Sequence, residues 1–353
     1  MKISIAIVGP GLVGSEFIQQ LLSFQQHPTI EGLELNVVSI AHSRKMILEP
    51  FDLRQWKSLL DNSTLASDLS NLSDHLASSS SAIKVVVDCT SNESVALLYP
   101  QWIEKGISII TPNKKAFSSS MDLWNRLFET SALKGVSVLH ESTVGAGLPV
   151  VNTVRDLVLT GDDILQIEGI MSGTLSFIFN SFSTPKLNDL KFSDIVMEAK
   201  EKGYTEPDPR DDLNGMDVAR KVLILARLSG LKLEMPMVKV ENIVPPSLLQ
   251  LQSAQEFMQR LPEFNSYFDE LKKSAHEQGC VLRYVGVSGP QGCRVELKKY
   301  PFDHPFAALK GSDNIFAFKT TRFPSPLIIQ GSGAGSKVTA FGIFSDLLKL
   351  TRR

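Results

Sequence analysis

The chain is short of cysteine, of net charge and of long apolar runs, and each shortage removes a class of function. Three cysteines in 353 residues, Cys89, Cys280 and Cys293, lie far apart and form no CxxC pair. That excludes a disulfide framework and a thiolate zinc site and fits a reducing compartment, so a cytoplasmic protein is expected. The net charge is only −2, with 36 basic side chains scattered among 38 acidic ones. Lacking a long basic run, the chain offers no nucleic-acid surface. No apolar run approaches the roughly 20 residues of a membrane span. Met1 and Lys2 lead straight into an apolar strand, so no cleaved leader is expected.

What is present, 43% hydrophobic residues, suffices for a large core and reads as two packed domains. Lys2 to Val8 is a short apolar run, followed by Gly9-Pro10-Gly11-Leu12-Val13-Gly14 and a helical pattern from Ser15 to Phe24. Strand, GxGxxG and helix in that order predict a dinucleotide fold. The glycines turn tightly and let a pyrophosphate sit on the free N–H groups at the helix start. The second strand, Leu35 to Ala41, should end in an acid if the site prefers NAD. It ends instead in His42-Ser43-Arg44-Lys45, groups suited to a 2′-phosphate, which favours NADP; a solvated loop is the alternative reading of Arg44 and Lys45.

Further strand ends carry polar residues that would line the crevice of an open parallel sheet. Ile83 to Asp88 leads to Cys89-Thr90-Ser91-Asn92, where Thr90 and Ser91 either neighbour the nicotinamide and ribose or cap the next helix. Ser108 to Ile110 leads to Thr111-Pro112-Asn113-Lys114-Lys115, where Lys114 is expected to face the cofactor and a substrate oxygen, as a catalytic cation that stabilises that oxygen or holds the cofactor near it; ordinary surface charge is the alternative reading of the two lysines. Val136 to His140 leads to Glu141 through Pro149, whose glycines suggest backbone close to a ligand or ion.

The segment GYTEPDPRDDLNGMDVARK, residues 203 to 221, gathers Glu206, Asp208, Asp211, Asp212 and Asp217 before an apolar helix starting near Asp217. Such a cluster calls for a cationic partner, which makes it the expected substrate site. Glu206, Asp212 and Asp217 cannot share one small pocket unpaired. Asp208 and Asp211 read as loop and capping residues stiffened by Pro207 and Pro209.

TPNKKAF from Thr111, HESTVGAGLP from His140, EGIMSGTLSFIFN from Glu168 and the acidic segment resemble, in order, the signatures of homoserine dehydrogenase, particularly its short monofunctional fungal form. The resemblance runs to QGSGAG at Gln330 to Gly335. It implies an enzyme that interconverts L-homoserine and L-aspartate 4-semialdehyde with NAD(P), in the pathway to threonine, isoleucine and methionine. By resemblance, Lys221 is the proton donor and acceptor, Glu206 and Asp217 bind homoserine with Asp212 beside them, and Gly203 and Gly335 approach the cofactor. Thr174, at a strand-to-helix turn, would donate to the substrate or a neighbouring acid, or cap the helix. The family also implies a monovalent cation, sodium, at Glu141, Val144, Ala146 and Leu148. Lys221 lies one helical turn after Asp217, above Ile224, Leu225 and Leu228, so an i,i+4 ion pair is the plainer reading of that spacing.

The expected fold is therefore α/β: a Rossmann-type, doubly wound nucleotide-binding domain over residues 1–150, completed by 331–353, plus an α+β catalytic and dimerisation domain over 151–330. A long helical stretch is expected from Ser247 to Glu277, then antiparallel strands at Val281 to Val287, Cys293 to Lys299 and Asn314 to Lys319, and a last helix from Val338 to Leu350. By resemblance the sheet joins two subunits of a homodimer. An aspartate-semialdehyde dehydrogenase would need a reactive cysteine beside a base, and none of the three has that setting. A non-catalytic NADP-binding sensor is the alternative from another class.

Overall fold

The computed structural model describes residues 1–352, with side chains through Thr351. It divides into two units, Met1–Pro149 with Gly335–Arg353, and Val150–Ala334. Among the described residues each unit holds one six-stranded sheet.

The first sheet comprises β1 (Lys2–Val8), β2 (Glu34–Ala41), β3 (Met46–Leu48), β4 (Ile83–Asp88), β5 (Ser108–Ile110) and β6 (Val138–Leu139). Their order is β3-β2-β1-β4-β5-β6, with β3 antiparallel to β2 and the other neighbours parallel. Parallel strands are covered on both faces, which is why β1 and β4 read as nearly unbroken apolar runs. Ile3, Ile5, Ile7, Val85 and Val87 pack into one core with Phe17, Ile18 and Leu21 of the helix Leu12–Gln26. The helix Ser336–Lys349 docks beside that helix, with the Phe344 ring centroid 5.5 Å from Phe24 and 6.3 Å from Phe17. Strand order reverses between β1 and β4, and the loops leaving their carboxyl ends open the crevice where such sheets take ligands.

The second sheet comprises β7 (Ile164–Ile170), β8 (Lys239–Val240), β9 (Cys280–Gly289), β10 (Gly292–Pro301), β11 (Asn314–Thr320) and β12 (Leu327–Gly331). Its order is β12-β11-β7-β9-β10-β8, antiparallel except for β8 beside β10. Pro290 and Gln291 close the β9–β10 hairpin, pairing Gly289 with Gly292. The helices Gly173–Phe182 and Met216–Leu228 pack on β9. Gly215 starts the second of these at φ +73°, and any side chain there would meet the Tyr284 hydroxyl.

Arg283 on β9 is 1% exposed and has only carbonyl partners. Its guanidinium donates to Phe179 O and Ser183 O at the end of one helix, and to Leu282 O, Phe306 O and Ala307 O, over 2.7–3.1 Å. Burial lowers its pKa to about 10, which still leaves it charged at neutral pH. The negative end of the helix Gly173–Phe182 favours that charge.

Two expectations change. The helical stretch from Ser247 to Glu277 is broken into Pro246–Leu248, Ala254–Arg260, Leu261–Phe264 and Asn265–Glu277. Ser253 caps one piece by accepting from Glu256 N, and Pro262, lacking an N–H, cannot continue the ladder. Residues 331–334 stay with the second unit because β12 runs to Gly331, and the short strands β3, β8 and β12 carry no pattern strong enough to be read beforehand. Arg283→Met should lower stability by at least about 3 kcal/mol, since it strips five buried carbonyls of their donor. Urea unfolding monitored by circular dichroism would show this as an earlier midpoint.

Candidate functional site

In the first unit a cleft of about 580 Å³ opens at the strand ends. Gly9, Pro10 and Gly11 form one wall, His42 and Ser43 another, and Trp56, Leu60 and Leu69 an apolar flank. Gly9 turns at φ +81°. A Cβ on Gly14 would stand 2.5 Å from Gly9 O, so the turn closes only with glycine at that position. Leu12 is 88% exposed and Val13 packs on the core, so neither side chain faces the cleft, and at the helix start each offers a ligand only its backbone N–H. This cradle and its apolar flank fit a dinucleotide.

The structure redistributes the basic residues after β2. Ser43 lies on the wall, whereas Arg44 is exposed, and Lys45 Nζ donates to Asp61 O at 2.5 Å. Both backbone amides, Arg44 N and Lys45 N, donate to His42 Nδ1. Lys57, beyond the reach of a motif reading, lines the same cleft as Ser43. After β4, Thr90 lines the cleft and Ser91 is exposed, while the capping role belongs to Asn92, which accepts from Ser94 N at 2.7 Å. Lys114, half-buried, is the N-cap of the short helix Lys115–Ser118 after β5. Burial pushes the Cys89 thiol well above the usual range and raises that of Cys293, which suits packing rather than nucleophilic chemistry.

The Glu141–Leu148 segment is built differently. Glu141 is 3% exposed, its N donates to Asp346 at 2.9 Å, and Lys349 Nζ lies 3.6 Å from its carboxylate and 2.7 Å from that of Asp346. Gly145 and Ala146 both take positive φ, +77° and +53°, in the loop that also holds Val144 and Leu148. Among the described residues no group of three or more His, Cys, Asp or Glu side chains could hold a metal, so an ion here would depend on backbone carbonyls and Glu141.

In the second unit the acidic segment and the helix Met216–Leu228 come together. Lys221 Nζ lies 2.8 Å from Asp217 Oδ2 and donates to Met171 O at 2.7 Å, its side chain 11% exposed. Ile224 and Leu225 beneath it are fully buried. The cap of the helix Gly173–Phe182 is Ser172, accepting from Leu175 N, which frees Thr174 for another role. Thr174 Oγ1 lies 2.5 Å from Tyr204 O and 2.9 Å from Asp212 Oδ1, and Asp212 Oδ2 accepts from Glu206 N at 2.8 Å.

Burial pushes the Asp212 carboxyl above the usual range, reinforced by the charges of Glu206 and Asp217 and opposed by its bonds from Glu206 N and Thr174. Asp208 is held by Arg210, whose side-chain hydrogen bonds keep its carboxyl below the usual range, and Arg210 also donates to Leu251 O. Among the described residues the Glu206 carboxylate has no hydrogen bond or ion pair, and it is exposed. Gly203 ends the helix Phe192–Glu201 at φ +70°, and Gly335 precedes the terminal helix at φ +114°.

A family model described as homoserine dehydrogenase matches residues 149–348, and one described as the homoserine dehydrogenase NAD binding domain matches residues 9–141. The chain is 44% identical to homoserine dehydrogenase of Saccharomyces cerevisiae, covering 99% of this chain and 98% of that protein. It is 47% identical to the enzyme of Paracoccidioides brasiliensis at the same coverage. Against the Zea mays bifunctional aspartokinase/homoserine dehydrogenase 1 it is 47% identical but spans only 38% of that protein. Among solved structures, a Candida auris protein of unknown function superposes with a TM-score of 0.93 at 45% identity, covering 100% of this chain and 99% of that one. A hyperthermophilic archaeal homoserine dehydrogenase in complex with NADPH gives 0.76 at 25% identity, covering 100% and 98%. With a nucleotide-binding sheet, a lysine and carboxylate cluster and these relatives, the chain belongs to the homoserine dehydrogenase family and is an NAD(P)-dependent oxidoreductase with that activity.

Proposed function

We propose that Lys221 exchanges the proton at the terminal oxygen of L-homoserine, which the enzyme interconverts with L-aspartate 4-semialdehyde. The observation that carries this reading is the Lys221 ammonium, held by Asp217 and Met171 O at the edge of an apolar helix face. The bound nicotinamide supplies the hydride acceptor, or the donor in the reverse direction. The chain's own residues do the rest. Glu206, whose carboxylate is exposed, pairs with the substrate ammonium. Asp217 orients Lys221. Asp212, engaged with Thr174 and Glu206 N, shapes the segment rather than pairing with substrate directly. In oxidation Lys221 takes the hydroxyl proton, and in reduction it returns a proton to the developing alkoxide.

In the nucleotide unit, backbone N–H groups from Gly9 through Gly14 hold the pyrophosphate, Thr90 and Ser91 adjoin the ribose, and Lys114 holds the nicotinamide end. Gly203 and Gly335 are assigned to the cofactor by family likeness alone. NADP is preferred because β2 ends without an acid, Ser43 and Lys57 line the cleft, and Arg44 and Lys45 follow Ser43 directly in the chain. A monovalent cation, sodium, at Glu141 and the carbonyls of Val144, Ala146 and Leu148 is assigned by family likeness, and the positive-φ turn at Gly145 and Ala146 suits backbone carbonyls converging on an ion. A homodimer joined through the second sheet and a place in threonine, isoleucine and methionine formation complete the reading.

Absorbance at the nicotinamide band, with L-homoserine and either NADP or NAD at alkaline pH, tests the substrate and ranks the cofactors. Lys221→Ala should lower kcat by about 10²–10⁴-fold and leave NADPH binding, followed by fluorescence titration, unchanged. Equal loss of both would make the residue structural. Lys57→Glu and Arg44→Glu should each raise the KM for NADPH about tenfold and that for NADH far less; an unaltered ratio removes the argument from the β2 end. Thr174→Val should raise the homoserine KM about tenfold, through loss of the Asp212 and Tyr204 contacts. An unchanged KM would show that the segment keeps its shape without them.

A further inference from the structure

Asp88 closes β4 with no exposed surface and, among the described residues, no ion pair. A carboxylate withdrawn from water in this way is tolerated only where donors replace its hydration. Here they come from three separate segments. Thr90 N donates to Oδ1 at 2.8 Å, and Oδ2 accepts from the Tyr99 hydroxyl at 2.5 Å and from Asn113 Nδ2 at 3.1 Å. The backbone carbonyl of Asp88 takes a fourth bond, from Thr111 Oγ1 at 2.8 Å.

The loop that carries Lys114 is tied to this carboxylate on both sides of that lysine. Ahead of it, Asn113 N donates to Thr111 Oγ1 at 2.9 Å; behind it, Lys115 N donates to Asn113 Oδ1 at 3.1 Å. Asn113 Nδ2 also donates to Asn92 O at 2.9 Å, which joins the β5 loop to the β4 loop whose Thr90 and Asn92 line the nucleotide cleft. The orientation of the Asn113 amide is thereby set: its oxygen faces Lys115 N, and its nitrogen faces Asp88 and Asn92. Burial, then the Asp88 charge, pushes the Tyr99 hydroxyl well above its usual range, so it remains a donor. Packing alone would be met by an apolar residue at position 88. A carboxylate does more, because it can accept from all three segments at once.

We propose that Asp88 is a positioning residue for the reaction: through Tyr99, Thr90 and Asn113 it locks the β4 and β5 loops together, and so fixes the backbone from which Lys114 reaches the cofactor. This rests on the reading of Lys114 as a cofactor-holding lysine. Asparagine at position 88 would turn an amide donor either towards Thr90 N or towards the donors of Tyr99 and Asn113, breaking the tie on one side while keeping the volume.

The test is a double-mutant cycle on the full enzyme, combining Asp88→Asn with Lys114→Met and reading kcat, the KM for NADP and thermal unfolding. Asp88→Asn should lower kcat/KM for NADP by about 10²-fold, the scale of a small misplacement of reacting groups. In the Lys114→Met background the same change should do almost nothing further, because both variants remove one function. Tyr99→Phe, which keeps the ring and removes one donor, should show about a tenfold fall with the same non-additivity, and it serves if Asp88→Asn fails to fold. Additive losses, or a lowered unfolding temperature with unchanged kcat/KM, would overturn the proposal. If Lys114→Met alone leaves kcat and KM unchanged, the reading of Lys114 fails, and the proposal falls with it by that separate signature.

Discussion

A carboxylate taken out of water must recover its hydration from nearby donors, and donors on different segments are then bound to one another through it. Both units use this constraint where function is concentrated. Asp88 gathers Thr90, Tyr99 and Asn113 beneath the nucleotide cleft. Asp212 gathers Thr174 and Glu206 N within the acidic segment. In each case the acid is chemically spent on the scaffold, and the groups left to meet a ligand stand on the backbone that it holds.

The same principle resolves the repulsion stored in residues 203 to 221. The five acids are spread over different settings: Asp208 is paired with Arg210, Asp212 is hydrogen-bonded, Asp217 is paired with Lys221, and Glu206 and Asp211 stand exposed. Like charges can crowd here because their environments differ. The segment thus keeps the Glu206 carboxylate open beside the Lys221 ammonium, the two groups on which the proposed reading of the substrate rests.

Much of this could be read before any coordinates. The run Lys2–Val8, the glycine fingerprint and the apolar strands β4 and β5 depend on local pattern, and the structure places them where that pattern said. The Asp217–Lys221 pair follows from helical spacing alone. Other features depend on contacts between residues far apart in the chain, which no local pattern encodes. Lys57 reaches the cleft only because the segment after β3 folds back on β2. Asp88 reads as the end of an apolar strand until Tyr99 and Asn113 are seen against it. Arg283, in an otherwise apolar strand, looks misplaced until the helix-end carbonyls surround it. The stretch from Ser247 to Glu277 has a helical composition throughout, and its breaks rest on single residues, the Ser253 cap and Pro262.

The helix Ser336–Lys349 completes a core that begins with the first strand, burying Ala340, Ile343 and Leu347 among Ile3, Ile5 and Phe17. During synthesis the segments therefore mature out of order. The Val150–Ala334 unit is continuous, so all of it can leave the ribosome and fold while the nucleotide unit still lacks its closing helix. Until residue 349 or so has emerged, the apolar side of Phe17 and Phe24 remains uncovered, and the nascent chain has a catalytic unit able to form before the unit that binds its coenzyme can close.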